Sequence, residues 1–178
     1  IALVVDNSAS MQAAEGESDT RLQAAKQAAN ALIRSLRGTD RMAILTAGGR
    51  PHVAMGMTNH QRSLLDTVRQ LPATDGPTEV QAAVEMARRL LSDQEGTSEI
   101  VVLSDGCFDE AEQISNADDV KLYGFGSQTD NVAITRYQVR RSLLDAVGYQ
   151  VLVDVTNFSE TAADCRLELN LENGPTQS

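Results

Sequence analysis

The feature that most constrains this chain is the alternation of short, continuous apolar runs with segments whose apolar residues recur at helical spacing. Two of the apolar runs are Ile1–Val5 and Ile100–Leu103, and Met42–Ala47 is predicted to form another buried strand. A run that is apolar at every position is typical of a strand buried on both faces. Buried strands that alternate with amphipathic helices predict a doubly wound α/β fold, in which helices cover both faces of a mostly parallel sheet.

The segments between these strands have the spacing of amphipathic helices. Helices are predicted at 20–37, at 64–71 before Pro72, at 80–91 and, shorter, at 109–115, and a further strand at 120–125. The chain turns from Met42–Ala47 into His52–Met57 within a few residues, which is too short for a crossover connection. The second of these strands is therefore predicted to be antiparallel and to lie at an edge of the sheet.

The hydrophobic pattern changes after Gly126. Apolar and polar residues alternate along Val151–Val155 and Leu167–Leu171, and a period of two is typical of an antiparallel sheet with one solvated face. With Val132–Val139 this makes about three strands. We predict an α/β domain over residues 1–128 and, over residues 129–178, the start of a second, all-β domain of the sandwich type that is cut short.

Composition excludes some classes of function. The formal net charge is −10, and an acidic surface argues against a nucleic-acid partner. No apolar run approaches the length of about 20 residues that crosses a bilayer. The chain opens directly in a strand and without Met, so we expect a piece of a longer protein. A membrane anchor or an extracytoplasmic position would then depend on segments outside this chain, and the sequence leaves the compartment open.

The cysteines and histidines do not predict a redox or zinc site. Cys107 and Cys165 are too few for a disulfide framework, and His52 and His60 have no Cys-x-x-Cys pair beside them. Cys107 is interpreted as a packed loop residue, with a reactive thiol as the alternative.

Oxygen-bearing side chains follow three of the predicted strands and turns. Asp6, Ser8 and Ser10 come directly after the first strand, Thr78 stands before the third helix, and Asp105 ends the fourth strand. Ligands of open α/β sheets bind beyond the carboxyl ends of the strands. Two carboxylates and three hydroxyls are hard donors that suit Mg²⁺, Mn²⁺ or Ca²⁺. For any one of these residues alone, the default interpretation is an ordinary loop or helix-capping residue.

Together these residues form a three-part motif: Asp6-x-Ser8-x-Ser10-Met11, a separate Thr78, and Asp105-Gly106. Over roughly residues 1–126, this motif and the order of elements resemble von Willebrand factor A domains with a metal-ion-dependent adhesion site. The resemblance implies that the three hydroxyls contact one cation and that the two aspartates bind it directly or through water. It also implies an open metal position for an acidic side chain of a partner.

The chain departs from the family after the strand predicted at 120–125. Family members usually continue with a further strand and helices, whereas this chain passes from Gly126 almost directly into the period-two segment. We therefore expect a smaller sheet, and the missing carboxy-terminal helix argues against a helix-shift switch. A looser resemblance links the chain to bacterial aerotolerance-type members, in which the A domain is part of a larger, membrane-tethered protein.

The leading interpretation is a metal-dependent protein-binding module for adhesion or scaffolding, without enzymatic activity, whose protein partner supplies an Asp or Glu to the ion. One alternative is a Mg²⁺-dependent phosphoryl-transfer enzyme with an aspartyl phosphate. Ser8 stands where such an enzyme needs a second carboxylate, and neither Lys26 nor Lys121 is predicted near the carboxyl edge. The other alternative is a scaffold of the same fold with a vestigial metal site.

Overall fold

A mixed five-stranded sheet runs through the first of two compact units, Ile1–Ser127 and Gln128–Ser178. The structure is a computed structural model that describes residues 1–15, 19–94, 96–126, 132–141, 148–157 and 162–169. In chain order the elements are β1 (Ala2–Val5), a 3₁₀ turn (Ala9–Gln12), β2 (Ala14–Glu15), β3 (Asp19–Thr20), α1 (Arg21–Ser35), β4 (Met42–Thr46), β5 (His52–Thr58), α2 (Gln61–Gln70), α3 (Val80–Ser92), β6 (Ile100–Ser104), α4 (Ala111–Ser115), β7 (Val120–Gly124), β8 (Val132–Arg141) and β9 (Tyr149–Asn157).

The sheet has the order β5-β4-β1-β6-β7, with β1 in the centre. β1 is parallel to β4 on one side and to β6 on the other, and β7 is parallel to β6. β5 is antiparallel to β4 and forms an edge. Every residue of β1, β4 and β6 is buried, as predicted for these strands, and the burial includes the polar Thr46 and Ser104 that end β4 and β6. The predicted fold class is confirmed, including the antiparallel edge strand.

Alternate side chains of β1 enter two separate hydrophobic cores. Leu3 and Val5 belong to the core under α1 and α2, and Ala2 and Val4 to the core under α3. This division follows from the period-two alternation of a strand, which sends successive side chains to opposite faces. No helix in the described part of the chain is both long and apolar enough to cross a membrane.

Helix α1 begins at a capping box. The Thr20 hydroxyl accepts a hydrogen bond from the Gln23 backbone N–H at 3.2 Å, and the Gln23 side chain accepts one from the Thr20 N–H at 3.4 Å. These two bonds satisfy backbone donors that the first turn of a helix leaves unpaired. They also fix Arg21 as the first residue of α1, directly after the cap.

The second unit contains an antiparallel hairpin. β8 and β9 pair from Val132 opposite Asn157 to Arg141 opposite Tyr149. The third strand predicted at Leu167–Leu171 is not found over residues 162–168, which form no regular structure, although Leu169 makes an isolated bridge. Residues 170–178 lie outside the described part. The predicted strand therefore stays a prediction beyond Leu169.

Candidate functional site

Three loops meet at the carboxyl edge of the sheet, around the end of β1. The first is anchored to β6, because the backbone N–H of Asp6 donates to the Leu103 carbonyl at 2.8 Å. The loop before α3 pairs with the loop after β4, where the Glu79 N–H donates to the Ala47 carbonyl at 2.7 Å. Strands β4 and β5 lie on one side of β1, and β6 and β7 lie on the other. The carboxyl end of β1 is therefore the switch point of the sheet.

Asp6 lies at the centre of this edge, and its side chain is fully buried. Its Oδ1 accepts a hydrogen bond from the Ser8 backbone N–H at 3.0 Å. Its Oδ2 accepts hydrogen bonds from the hydroxyls of Thr78, at 2.9 Å, and Ser104, at 2.7 Å. These three donors, which come from the described part of the chain, are all uncharged. Because a buried charge is costly unless it is compensated, a nearby cation would stabilise Asp6.

Ser8 and Ser10 place two hydroxyls side by side. Ser8 occupies the N-cap position of the 3₁₀ turn but makes no side-chain capping bond. Its Oγ lies 3.3 Å from the Oγ of Ser10 instead. Adjacent oxygens in an octahedron with metal–oxygen bonds of about 2.1 Å lie about 3 Å apart, so this spacing suits two hydroxyls on one ion. Helix capping therefore does not explain the orientation of Ser8.

Thr78 is positioned by pairing between loops and not by a helix cap. It forms an isolated backbone bridge with Gly48, and the N-cap of α3 is the next residue, Glu79. The half-buried Thr78 thus directs its hydroxyl to Asp6 from the side of the sheet opposite β6. Helix capping therefore does not explain the orientation of the Thr78 hydroxyl.

Asp105 differs from the other four predicted residues. Its side chain is only 1% exposed, and its Oδ2 accepts a hydrogen bond from Nη1 of Arg21 at 2.9 Å. Its Oδ1 accepts a hydrogen bond from the Cys107 backbone N–H at 3.0 Å. In the described part of the chain, its carboxylate makes no hydrogen bond to the other four, and its link to them is the preceding residue, Ser104. Direct contacts therefore join Asp6 to Thr78 and to the backbone of Ser8, and Ser8 to Ser10, while Asp105 is paired with Arg21.

Two further residues shape the site although the sequence motif does not assign them a role. Ser104 is fully buried, donates to Asp6 and accepts a hydrogen bond from the Gly106 N–H at 3.2 Å. Its signal in the sequence is a single hydroxyl at the end of the apolar run of β6. Arg21 carries no comparable signal, because its partner is 84 positions away in the chain.

Asn7 ties the loops together from behind the site. Its Oδ1 accepts a hydrogen bond from the Gly48 N–H at 2.9 Å, and its Nδ2 donates to the Pro72 carbonyl at 2.8 Å. The Asn7 carbonyl accepts from both the backbone and the hydroxyl of Thr74, at 2.8 and 3.1 Å. A Cβ at Gly48 would lie 2.7 Å from the backbone of Asn7 and Ser8, so only glycine allows this close approach.

The Cys107 thiol borders the site but is poorly suited to nucleophilic chemistry. The residue lies at the surface, yet burial of its sulfur, followed by the neighbouring Asp105 carboxylate, raises the pKa of Cys107 above its ordinary value. The nucleophile is the thiolate, which a raised pKa makes scarce at neutral pH. Its environment favours a loop residue over a reactive thiol, but Cys107 is exposed and not packed as predicted.

The donor set at this edge fits a hard divalent cation. Hydroxyl and carboxylate oxygens are the ligands of Mg²⁺, Mn²⁺ and Ca²⁺, and the buried Asp6 carboxylate has only uncharged donors in the described part of the chain. The described residues contain no group of three or more His, Cys, Asp and Glu side chains arranged to hold a metal ion. The five candidate ligands do not form such a group, because three of them are the hydroxyls of Ser and Thr residues.

An open α/β sheet with an oxygen-rich loop cluster at its switch point defines a class of ligand-binding domains. Residues 1–108 match the family model of the von Willebrand factor type A domain. The match covers more than half of the chain, and the chain belongs to this family. Domains of this family commonly take part in adhesion and protein interaction and are generally not enzymes. A search of curated proteins found no match.

Solved structures with a similar fold include two proteins from Bacteroides. BatB from Bacteroides thetaiotaomicron has 21% sequence identity and a TM-score of 0.60, over 89% of this chain and 80% of that chain. An aerotolerance-related membrane protein from Bacteroides fragilis has 22% identity and a TM-score of 0.63, over 89% and 81%. The manganese-loaded TRAP protein from Plasmodium vivax has 21% identity and a TM-score of 0.54, over 70% and 56%. At these identities the similarity is one of fold.

Proposed function

We propose that this chain is a divalent-cation-dependent protein-binding module and that its partner contributes an Asp or Glu side chain. The proposed cation is Mg²⁺ or, by the same chemistry, Mn²⁺ or Ca²⁺. The proposed ligand set is Asp6, Ser8, Ser10, Thr78 and Asp105, with the hydroxyls in direct contact and the aspartates in contact directly or through water. The observation that carries the proposal is the buried Asp6 carboxylate, which is surrounded by hydroxyls from separate loops at the switch point.

The chemistry of the donors supports an open site for an incoming anion. When bound, a Mg²⁺-type ion supplies coordination positions that an external carboxylate can share with water. Neutral hydroxyls add no negative charge, and Asp105 is already paired with Arg21. The site therefore retains an attraction for a further carboxylate. A fold relative, the TRAP protein of Plasmodium vivax, has been seen manganese-loaded.

The loops around the site are expected to supply most of the affinity, because one carboxylate contact is small. A groove of about 230 Å³ begins at Thr78 and is lined by Glu79, Glu85, Phe108 and Glu110 among others. Its acidic lining would repel a uniformly acidic partner, so we expect basic or apolar residues to flank the partner's acidic side chain. The proposed partner is a protein, and a membrane connection would run only through segments outside this chain.

Calorimetric titration with Mn²⁺ tests the metal site. We expect weak, reversible binding by the wild type, because the site is partly hydroxyl and not a closed cage. Binding should be lost in Asp6→Ala and strongly reduced in Thr78→Ala. Thr67→Ala is the matched control, since it removes a hydroxyl that bonds only to a backbone carbonyl within α2. Equal binding by all four proteins would refute the assignment.

Partner binding is tested in a second experiment, with a partner recovered by affinity capture from the source cell. Its binding should require divalent cation, disappear in EDTA and fall in Ser10→Ala and Asp105→Ala. It should also fail when one acidic residue of the partner is neutralised. Binding that survives EDTA and both substitutions would show that the partner does not depend on the cation and would overturn the proposal.

A further inference from the structure

Arg21 forms an ion pair with Asp105 at the site, although a guanidinium cannot itself bind a cation. We propose that Arg21 is a positioning residue that keeps the Asp105 carboxylate from direct coordination and so lowers the cation affinity of the site. In exchange, the site keeps a stronger attraction for the partner's carboxylate. This inference rests on the proposed function and adds a control of affinity to the same site.

The contacts of Asp105 commit its carboxylate to other groups. Its side chain is 1% exposed and that of Arg21 is 13% exposed, and Nη1 lies 2.9 Å from Oδ2. The remaining oxygen, Oδ1, accepts from the Cys107 N–H. Breaking a buried ion pair by taking one partner away is strongly unfavourable. Asp105 is therefore less available to a cation than its place in the motif implies.

The position of Arg21 is fixed from two directions. The capping box of Thr20 and Gln23 sets Arg21 as the first residue of α1. On the other side, Gly126 has φ +107° and packs so closely that a Cβ there would lie 2.5 Å from Nε of Arg21. A side chain held between a helix start and a glycine in the left-handed region has little freedom to rotate away from Asp105.

The charges of the site explain how this pair would tune binding. Arg21 compensates Asp105, so Asp6 provides the one negative charge of the five proposed ligands that lacks a cationic hydrogen-bond partner in the described residues. Cation affinity at oxygen sites rises with the number of charged ligands. Without Arg21, Asp105 would become a second free carboxylate, cations would bind more tightly, and a carboxylate from outside would be attracted less.

Titration of Arg21 variants with Mn²⁺ alone tests the inference. Arg21→Gln should bind Mn²⁺ about tenfold more tightly than the wild type, which is the scale of the effect of one charge at such a site. Arg21→Lys keeps the positive charge and should remain close to the wild type. Arg69→Gln is the control, because Arg69 forms only an exposed ion pair with Asp66. A purely structural role for Arg21 would weaken binding, so an equal or weaker affinity of Arg21→Gln overturns the inference.

A double-mutant cycle provides the second test. Asp105→Asn alone removes the negative charge that faces Arg21 and so adds one net positive charge beside the site, which should weaken Mn²⁺ binding. Adding Arg21→Gln to it should restore an affinity near that of the wild type. Thermal unfolding in EDTA establishes which variants fold, and Asp105→Asn with unchanged affinity also overturns the inference.

If the wild type does not bind Mn²⁺, or Asp6→Ala binds it equally, the proposed function fails. If that test succeeds and the Arg21 cycle shows no coupling, only this inference fails.

Discussion

The hydroxyl of Thr78 donates a hydrogen bond to Oδ2 of Asp6 at 2.9 Å, across 72 positions of sequence. The contact depends on the backbone bridge between Thr78 and Gly48, which follows β4, and on the parallel pairing of β4 with β1. The candidate site is therefore a product of strand order. Substitutions that disturb how the loops pack should affect the site even where they touch none of its oxygens.

Removal of the Ser104 hydroxyl should destabilise the protein and weaken cation binding. In Ser104→Ala, Asp6 loses its shortest hydrogen bond and the Gly106 N–H loses its acceptor. A hydrogen bond to a buried charged group contributes about 1.5–3 kcal/mol, and we expect a loss of unfolding free energy of that size. Denaturation in urea measures it. Ser92→Ala, which removes an exposed hydroxyl at the end of α3, should change stability by less than about 0.5 kcal/mol.

A methyl group at Gly48 should disturb the packing behind the site. The added Cβ of Gly48→Ala would lie 2.6 Å from Oγ1 of Thr74 and 2.7 Å from the backbone of Asn7. Because backbone atoms cannot move aside cheaply, we expect a loss of about 1–3 kcal/mol in unfolding free energy, together with weaker Mn²⁺ binding. The control is Gly38→Ala, where nothing lies within 4 Å of the new Cβ. Equal stability of the two variants would show that the loop packing is looser than described.

The sequence predicts the fold better than it predicts the contacts of the site. Continuous apolar runs such as Ile100–Leu103 indicate buried strands, because burial on both faces favours apolar residues at every position. The pairing of Arg21 with Asp105 joins residues 84 positions apart, and only the strand order brings them together. Of the third β-strand predicted from alternation at Leu167–Leu171, the first two residues are not in a strand, Leu169 makes an isolated bridge, and the last two lie outside the described part of the chain. The division at residues 128 and 129 remains a prediction, because compact units do not establish that each folds alone.

The reactivity of Cys107 should rise only at high pH. Burial and the Asp105 carboxylate raise its pKa, so the thiolate fraction at pH 7.5 should be smaller than that of an ordinary cysteine. In a Cys165→Ser protein, where Cys107 is the remaining thiol, the rate of alkylation by iodoacetamide should have its midpoint at a higher pH in the folded protein than in the unfolded chain. The urea-unfolded protein provides the reference. A midpoint below that of the unfolded chain would contradict the described environment of the thiol.

Metal-dependent phosphoryl transfer should be absent. An aspartyl-phosphate enzyme generally needs a second carboxylate beside the nucleophile and a lysine at the phosphate; position 8 is Ser, the two lysines lie elsewhere, and the cation at this edge, Arg21, is paired with Asp105. Nζ of Lys26 donates to the Leu71 carbonyl at 2.6 Å, and Lys121 forms an ion pair with Glu99. We expect no release of p-nitrophenol from p-nitrophenyl phosphate above background with Mg²⁺. Turnover that requires Mg²⁺ and is lost in Asp6→Asn would support the enzymatic alternative.

Asp6→Asn should separate the stability of the domain from its capacity to bind a cation. The buried carboxylate accepts from uncharged donors in the described residues, so in EDTA its charge is stabilised only by hydrogen bonds. An asparagine has nearly the same shape and no charge to desolvate, and the hydroxyls of Thr78 and Ser104 can rotate to accept from its amide. We therefore expect Asp6→Asn in EDTA to be at least as stable as the wild type.

The two proteins should then differ when the cation is added. A ligand that binds only the folded state stabilises it by RT ln(1 + [L]/Kd), so Mn²⁺ at about 100 times Kd should stabilise the wild type by about 2.7 kcal/mol. Asp6→Asn should gain much less at the same concentration, because it has lost the buried charge that favours the ion. Thermal unfolding of both proteins, in EDTA and in Mn²⁺, measures the four values. A large destabilisation of Asp6→Asn in EDTA would mean that Asp6 serves mainly to hold the loops together, and an equal gain from Mn²⁺ would place the cation elsewhere.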